Sequence, residues 1–205
     1  VSDRGAVERF AADVQRDFGA AHYIINNAGT SVFATVEHQS IEEFEKVLAV
    51  NLWGVIYGTK AFLPMMLRQR EGCIVNISSV FGLVAAPCSA SYNISKFGVR
   101  GFTETLWQEL HGTGVRAVVV HRGGINTNIK HVPEARTSGA MEKAVLAANL
   151  RKMTTSPADC ARQIVDGLRR GQPRLLVGNG ARALFWLARI LPNHYGPLLR
   201  RELGL

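Results

Sequence analysis

Apolar residues recur on a single helical stripe at the start of the chain: Val7, Phe10, Ala11, Val14 and Phe18. Asp3 stands before them as a cap and Gly19 after them as a stop, which predicts a helix over 4–18. A short apolar strand follows at His22–Asn26. Ser40 and Glu43 have the spacing of a capping box and open a long helix. Phe44, Val47, Leu48, Asn51, Val55 and Gly58 keep its spacing up to about Leu67. A helix of roughly 28 residues would be ~40 Å long. Asn51, Gly54 and Gly58 are poor helix formers, so a bend is expected near Asn51.

Beyond it the pattern predicts a strand at Cys73–Ser78, a Gly/Ser/Ala/Pro loop over 82–90 and a helix over 91–111. Val115–His121 is a third strand. Residues 122–140 are polar and glycine-bearing, the pattern of a long functional loop. A helix near 141–151 precedes another that opens with Ser156 as cap and Pro157 in its first turn and ends at Gly171. Arg174–Gly178 is a last short strand. An apolar helix at Ala181–Leu191 leads into a tail broken by Pro192 and further Pro and Gly. Alternating strands and helices imply an α/β fold, a doubly wound parallel sheet covered on both faces.

At 205 residues one domain is expected, with 181–205 as its C-terminal apolar helix and tail. The composition, 47% hydrophobic and 20% charged, excludes disorder and collagen-like repeats. The formal charge is +8, but the basic residues are dispersed and thicken only beyond Arg151. A solvated face is preferred over nucleic-acid binding. Cys73, Cys88 and Cys160 form no CxxC pair and have no His at zinc-ligand spacing, so neither a disulfide scaffold nor a metal site is expected. A reducing cytoplasm fits. No run of about 18 consecutive apolar residues occurs.

Tyr92 and Lys96 carry the candidate chemistry. Four residues apart on a predicted helix, they share a face. A free tyrosine, with a pKa near 10, is a poor acid or base at neutral pH. An ammonium ~4 Å away, at an effective dielectric of ~20, favours the phenolate by about 4 kcal/mol, or roughly three pKa units before desolvation. Such a pair alone also fits a surface tyrosine beside a solvated lysine. The surroundings change the weighting. Ser79, Asn26–Gly29 and Gly123–Thr127 all lie at the carboxyl ends of predicted strands, where open α/β sheets bind ligands.

With these residues in place, the chain resembles the short-chain dehydrogenase/reductase family over nearly its whole length. The carriers are Asn26-Asn27-Ala28-Gly29, Asn51 in Val-Asn-Leu-Trp-Gly, Ser79 after Ile-Val-Asn-Ile-Ser, Tyr92-x-x-x-Lys96, and Gly124-Ile125-Asn126-Thr127. The resemblance implies a Rossmann-like fold and hydride transfer between NAD or NADP and an alcohol/ketone carbon. It makes Tyr92 the general acid/base and Ser79 the hydrogen-bond partner of the substrate oxygen. Lys96 would lower the Tyr92 pKa and hold the nicotinamide ribose, and Asn51 would hold a water on the proton relay. Val1, Asn26, Ala28, Gly29, Ile125 and Thr127 would contact the cofactor, together with Tyr92 and Lys96. The resemblance also implies a homodimer or homotetramer paired through the helices at 41–67 and 91–111.

Two departures stand out. Arg122 replaces the family's proline, and an exposed side chain is expected there. No Gly-rich strand–turn–helix motif occurs, and Val1-Ser2-Asp3 resembles the family's segment after its third strand. The chain is therefore expected to be N-terminally incomplete by roughly 60 residues, with about four strands remaining. Such a piece would expose strand 22–26 as an edge and bind NAD(P)H weakly or not at all, and a non-catalytic scaffold is the alternative reading. Residues 126–155 mix Ile129, Val132, Met141, Val145 and Leu146 with Lys130, His131 and Arg136, the pattern of a lid over a lipophilic substrate or of an ordinary amphipathic helix. The segment 183–191 could lie on a membrane surface or cover the substrate mouth, but packing on its own core or a sister subunit is preferred.

Overall fold

The computed structural model describes residues 1–126, 139–203 and 205. Four parallel strands form one sheet in the order β1 (Tyr23–Asn26), β2 (Gly72–Ser79), β3 (Val115–Arg122) and β4 (Arg174–Val177). The helices are α1 (Arg4–Phe18), α2 (Ile41–Leu48), α3 (Gly54–Gln69), α4 (Ala90–Glu109), α5 (Ala140–Lys152), α6 (Pro157–Arg169), α7 (Ala181–Ile190) and α8 (Tyr195–Leu203). This is a Rossmann-like α/β arrangement.

The caps read from the sequence are present. Asp3 accepts from the Ala6 N–H at 2.9 Å, and Gly19 closes α1 in the left-handed region, with φ 74°. Ser40 and Glu43 form the reciprocal capping box of α2, and Ser156 caps α6 through Asp159.

Alternating side chains send the sheet's two faces into separate cores. Ile74 and Ala117 meet Phe62 and Met66 of α3, Leu106 of α4 and Ala11 of α1. Val75, Ile77, Val118 and Val120 meet Cys160 and Leu168 of α6. A third cluster joins Val145 and Ala148 of α5 to Leu199 and Leu203 of α8, over Phe33 and Cys88. The three cysteines are buried and free. β1 is the strand expected to form an edge, and there Tyr23 and Ile25 are more than half exposed.

The long helix runs continuously from Ile41 to Gln69, but its middle, Ala49–Trp53, is a π turn centred on Asn51. The expected bend is thus a widened turn, in which the Gly54 N–H reaches back to the Ala49 carbonyl. By length and composition this 29-residue run could also cross a bilayer, although no stretch of consecutive apolar residues marks it. In the fold, Val47, Val55, Phe62 and Met66 turn its apolar side into the core.

The tail differs from expectation. Where proline and glycine predict a broken end, α8 forms, because Pro197 falls in its first turn and its missing N–H costs no helical bond.

Close packing at Gly58 sets the β1–α3 contact. A side chain there would collide with the Asn26 carboxamide. Gly58→Ala is expected to displace Asn26 and cost about 1–3 kcal/mol, read as a fall of several degrees in Tm.

Candidate active site

The C-terminal ends of β1, β2 and β3 meet the start of α4, as open α/β sheets place their ligand crevices. A cavity of about 600 Å³ opens there. Ser79 and Tyr92 both line it, with Arg122, Gly124 and Ile125 from the exit of β3. Much of its outer wall is apolar, with Leu146 and Leu150 from α5, Leu184 and Leu187 from α7, and Leu199 and Leu203 from α8, beside Asn149 and the Lys152–Glu202 ion pair.

Ser79 ends β2. Its hydroxyl accepts from the Phe81 N–H at 3.2 Å, which caps the 3₁₀ turn Val80–Gly82, and lies 3.4 Å from the Arg122 carbonyl. The Tyr92 ring packs edge-on against Phe81, with centroids 6.2 Å apart and planes at 85°.

Lys96 lies one turn behind Tyr92 and is 1% exposed. Its Nζ donates to the Ile77 carbonyl at 3.0 Å and stands 5.5 Å from the centre of the Tyr92 ring. Burial, aided by the Arg122 charge, pushes its pKa down to about 7. Desolvation, left out of the sequence estimate, is thus the dominant influence on Lys96 in the fold.

Asn51 is fully buried at the π turn. Its Oδ1 accepts from the Thr30 N–H at 2.8 Å, while Nδ2 donates to the Thr30 carbonyl at 2.9 Å and to Ser95 Oγ at 3.1 Å. The carboxamide therefore clamps the loop after β1 onto α4. Gly29 lies in that loop, where a Cβ would stand 3.4 Å from Asn51 Oδ1 and 3.8 Å from Lys96 Nζ. Asn51, Gly29 and Lys96 are thus brought together behind the cavity.

Other sequence candidates sit differently. Asn26 turns its side chain inward, donating to Asn76 Oδ1 at 2.8 Å and Thr59 Oγ1 at 3.3 Å, and so ties β1 to β2 and α3. Ala28 is in the same loop as Gly29. Ile125 is buried, bridges to Thr155 and lines the cavity. Val1 is exposed beside Gly54 and does not line the cavity. Thr127 lies outside the described residues, as do Ile129, Lys130, His131, Val132 and Arg136 of the expected lid.

Arg122 was expected to be exposed. It is half-buried, lines the cavity and reaches toward the loop after β1, where Nη1 is 3.4 Å from Asn27 Oδ1. Ser78 went unnoticed in the sequence. It is fully buried and donates to the Lys96 carbonyl at 2.9 Å, fixing α4 to β2 at the lysine itself. The paired serines at a strand end were its only signal.

A family model for short chain dehydrogenases matches residues 1–137. The chain belongs to the short-chain dehydrogenase family. It is 39% identical over 201 residues to SadH of Mycobacterium tuberculosis, covering 97% of this chain and 73% of SadH. A short-chain dehydrogenase from Burkholderia phymatum, solved in complex with NAD, superposes with a TM-score of 0.82 at 26% identity, over 93% of this chain and 73% of that one. An alcohol dehydrogenase from Thermococcus sibiricus, complexed with 5-hydroxy-NADP, is 30% identical, with a TM-score of 0.58 over 62% of this chain and 53% of that one. Short-chain dehydrogenases are oxidoreductases of small-molecule substrates and bind NAD or NADP.

The crevice suits a nicotinamide nucleotide. Gly29 leaves room for close approach beside Lys96, and no carboxylate pairs with the Lys96 ammonium among the described residues. A buried cationic donor with hydrogens to spare fits ribose hydroxyls.

Proposed function

We propose that the protein is an NAD- or NADP-dependent oxidoreductase that interconverts a lipophilic alcohol and its ketone. The observation that supports it best is the shared cavity. Ser79 and Tyr92 line one pocket together with seven leucines of α5, α7 and α8.

A nicotinamide cofactor bound beside Lys96 would supply or accept the hydride. The Ser79 hydroxyl donates a hydrogen bond to the substrate oxygen and orients the carbonyl. The Tyr92 hydroxyl gives its proton to that oxygen in reduction and takes it back in oxidation. Lys96, as ammonium, would hold the ribose of the bound nucleotide and stands 5.5 Å from the centre of the Tyr92 ring. Asn51 orders the loop that covers Lys96, and the widened turn around it is where a relay water would sit. The leucine wall takes the apolar body of the substrate and excludes solvent from the reacting atoms.

The test is oxidation of NADH and of NADPH by the full-length protein with a series of ketones of increasing apolar length. Turnover that rises with chain length supports the reading. Absence of turnover with both nucleotides across the series contradicts it. Leu187→Asn is expected to raise KM for the longest ketone about tenfold while kcat stays within about twofold, because it removes binding contacts remote from the chemistry. A matching change in KM for the shortest ketone would argue against this placement of the substrate.

A further inference from the structure

His121 lies on β3, has no exposure to solvent, and has no part in the mechanism above. Its Nδ1 is 3.1 Å from the Ser79 carbonyl oxygen, and its Nε2 is 3.1 Å from Arg174 Nη1. A carbonyl can only accept and a guanidinium can only donate. The ring must therefore be neutral, with its proton on Nδ1.

Arg174 is itself held. Its Nη2 is 2.6 Å from Glu104 Oε1, and its guanidinium stands over the rings of Trp107 and Phe185, at 5.1 and 5.7 Å. Glu104 also accepts from Arg100 Nε at 2.8 Å. A chain of charged and polar groups from α4 and β4 thus ends on the Ser79 backbone. The imidazole meets that carbonyl at the residue where β2 gives way to the 3₁₀ turn.

We propose that His121 is a positioning residue for Ser79: its Nδ1–H, fixed from behind by Arg174 and Glu104, holds the Ser79 carbonyl and so aims the Ser79 hydroxyl into the cavity. The proposal rests on the reading of Ser79 as the group that binds the substrate oxygen. Burial, with Arg174 and Arg100 facing the ring, lowers the His121 pKa to about 4 against the Ser79 carbonyl and Glu104, which favour the charged ring. The ring therefore stays neutral, and the geometry intact, over the working pH range.

Three variants separate positioning from packing. In His121→Asn the amide nitrogen sits as far from the backbone as Nδ1 does and keeps the donor to Ser79. In His121→Gln it sits at the depth of Nε2 and moves toward Arg174. His121→Leu removes the donor. The expected result is a fall in kcat of about 10- to 100-fold in the Leu and Gln variants, with KM for the nucleotide within about twofold, and recovery to within about threefold of wild type in the Asn variant. A packing role alone predicts that Gln, nearer in size, is tolerated better than Asn, and that outcome overturns the proposal. Should the Leu variant fail to fold, the Asn–Gln contrast still decides. Nitrogen-15 NMR of the wild-type imidazole is expected to show the neutral Nδ1–H tautomer at pH 6; the Nε2–H tautomer or an imidazolium would also overturn it. A wild-type protein without turnover contradicts the oxidoreductase reading instead, and the NMR arm still reports on the His121 network.

Discussion

Tyr92→Phe is expected to lower kcat by about 10²- to 10⁴-fold, the range for loss of a positioned general acid/base. The change removes one hydroxyl and keeps the ring, its edge-on contact with Phe81 and its place beside Lys96. The fold should hold, with Tm within about 2 °C of wild type. Nucleotide affinity should stay within about threefold, because in the proposed mechanism the hydroxyl acts on the substrate oxygen. Steady-state kinetics, a thermal melt and a nucleotide titration check the three statements together. A variant that keeps more than about a tenth of wild-type kcat would remove Tyr92 from the acid/base role.

Lys96→Met should separate stability from activity. The lysine is 1% exposed, and burial brings its pKa from 10.5 to about 7. The unfolded chain therefore binds more protons than the folded one between about pH 7 and 10.5, so this group's contribution makes stability rise with pH across that window. Below pH 7 the folded state carries a buried ammonium at a cost of several kcal/mol. Methionine removes that cost and leaves the Ile77 carbonyl without its donor, a penalty of about 1–3 kcal/mol. The variant is expected to melt higher than wild type at pH 6, with the advantage shrinking toward pH 10. Its kcat/KM should fall at least about 100-fold, because in the proposed mechanism the same ammonium would hold the ribose and promote proton transfer. In the wild type that promotion fades as pH rises through about 7, a limb the variant's pH profile should lack. A variant both less stable at pH 6 and fully active would contradict this account of Lys96.

Helix ends and strand positions were legible in the sequence because capping and hydrophobic patterning are local. Asp3, Ser40 with Glu43, and Ser156 with Pro157 each satisfy their own helix start. Asn51 and the nearby glycines marked a disturbed helix, but the clamp on Thr30 joins residues 21 apart and left no local trace. The spacing of Tyr92 and Lys96 showed that they share a helix face. It did not show depth, so the titration of the buried lysine came only with the fold. His121 was hidden in an apolar strand run, where its partners Ser79 and Arg174 are 42 and 53 residues away. Arg122 looked like a solvated side chain because its contact with Asn27 spans 95 residues. The Pro/Gly-bearing tail was misread because a proline in a helix's first turn has the same local signature as a helix breaker.

Hydride transfer itself is the central claim, and isotope transfer tests it most directly. The full-length protein would be incubated with a long-chain ketone and NADH or NADPH carrying two deuterons at C4, and the alcohol product analysed by mass spectrometry. The account predicts one deuterium at the carbinol carbon in the wild type, and label transfer lost to the extent that kcat is lost in Tyr92→Phe. Alcohol formed without deuterium, or no alcohol while the nucleotide binds, would contradict it.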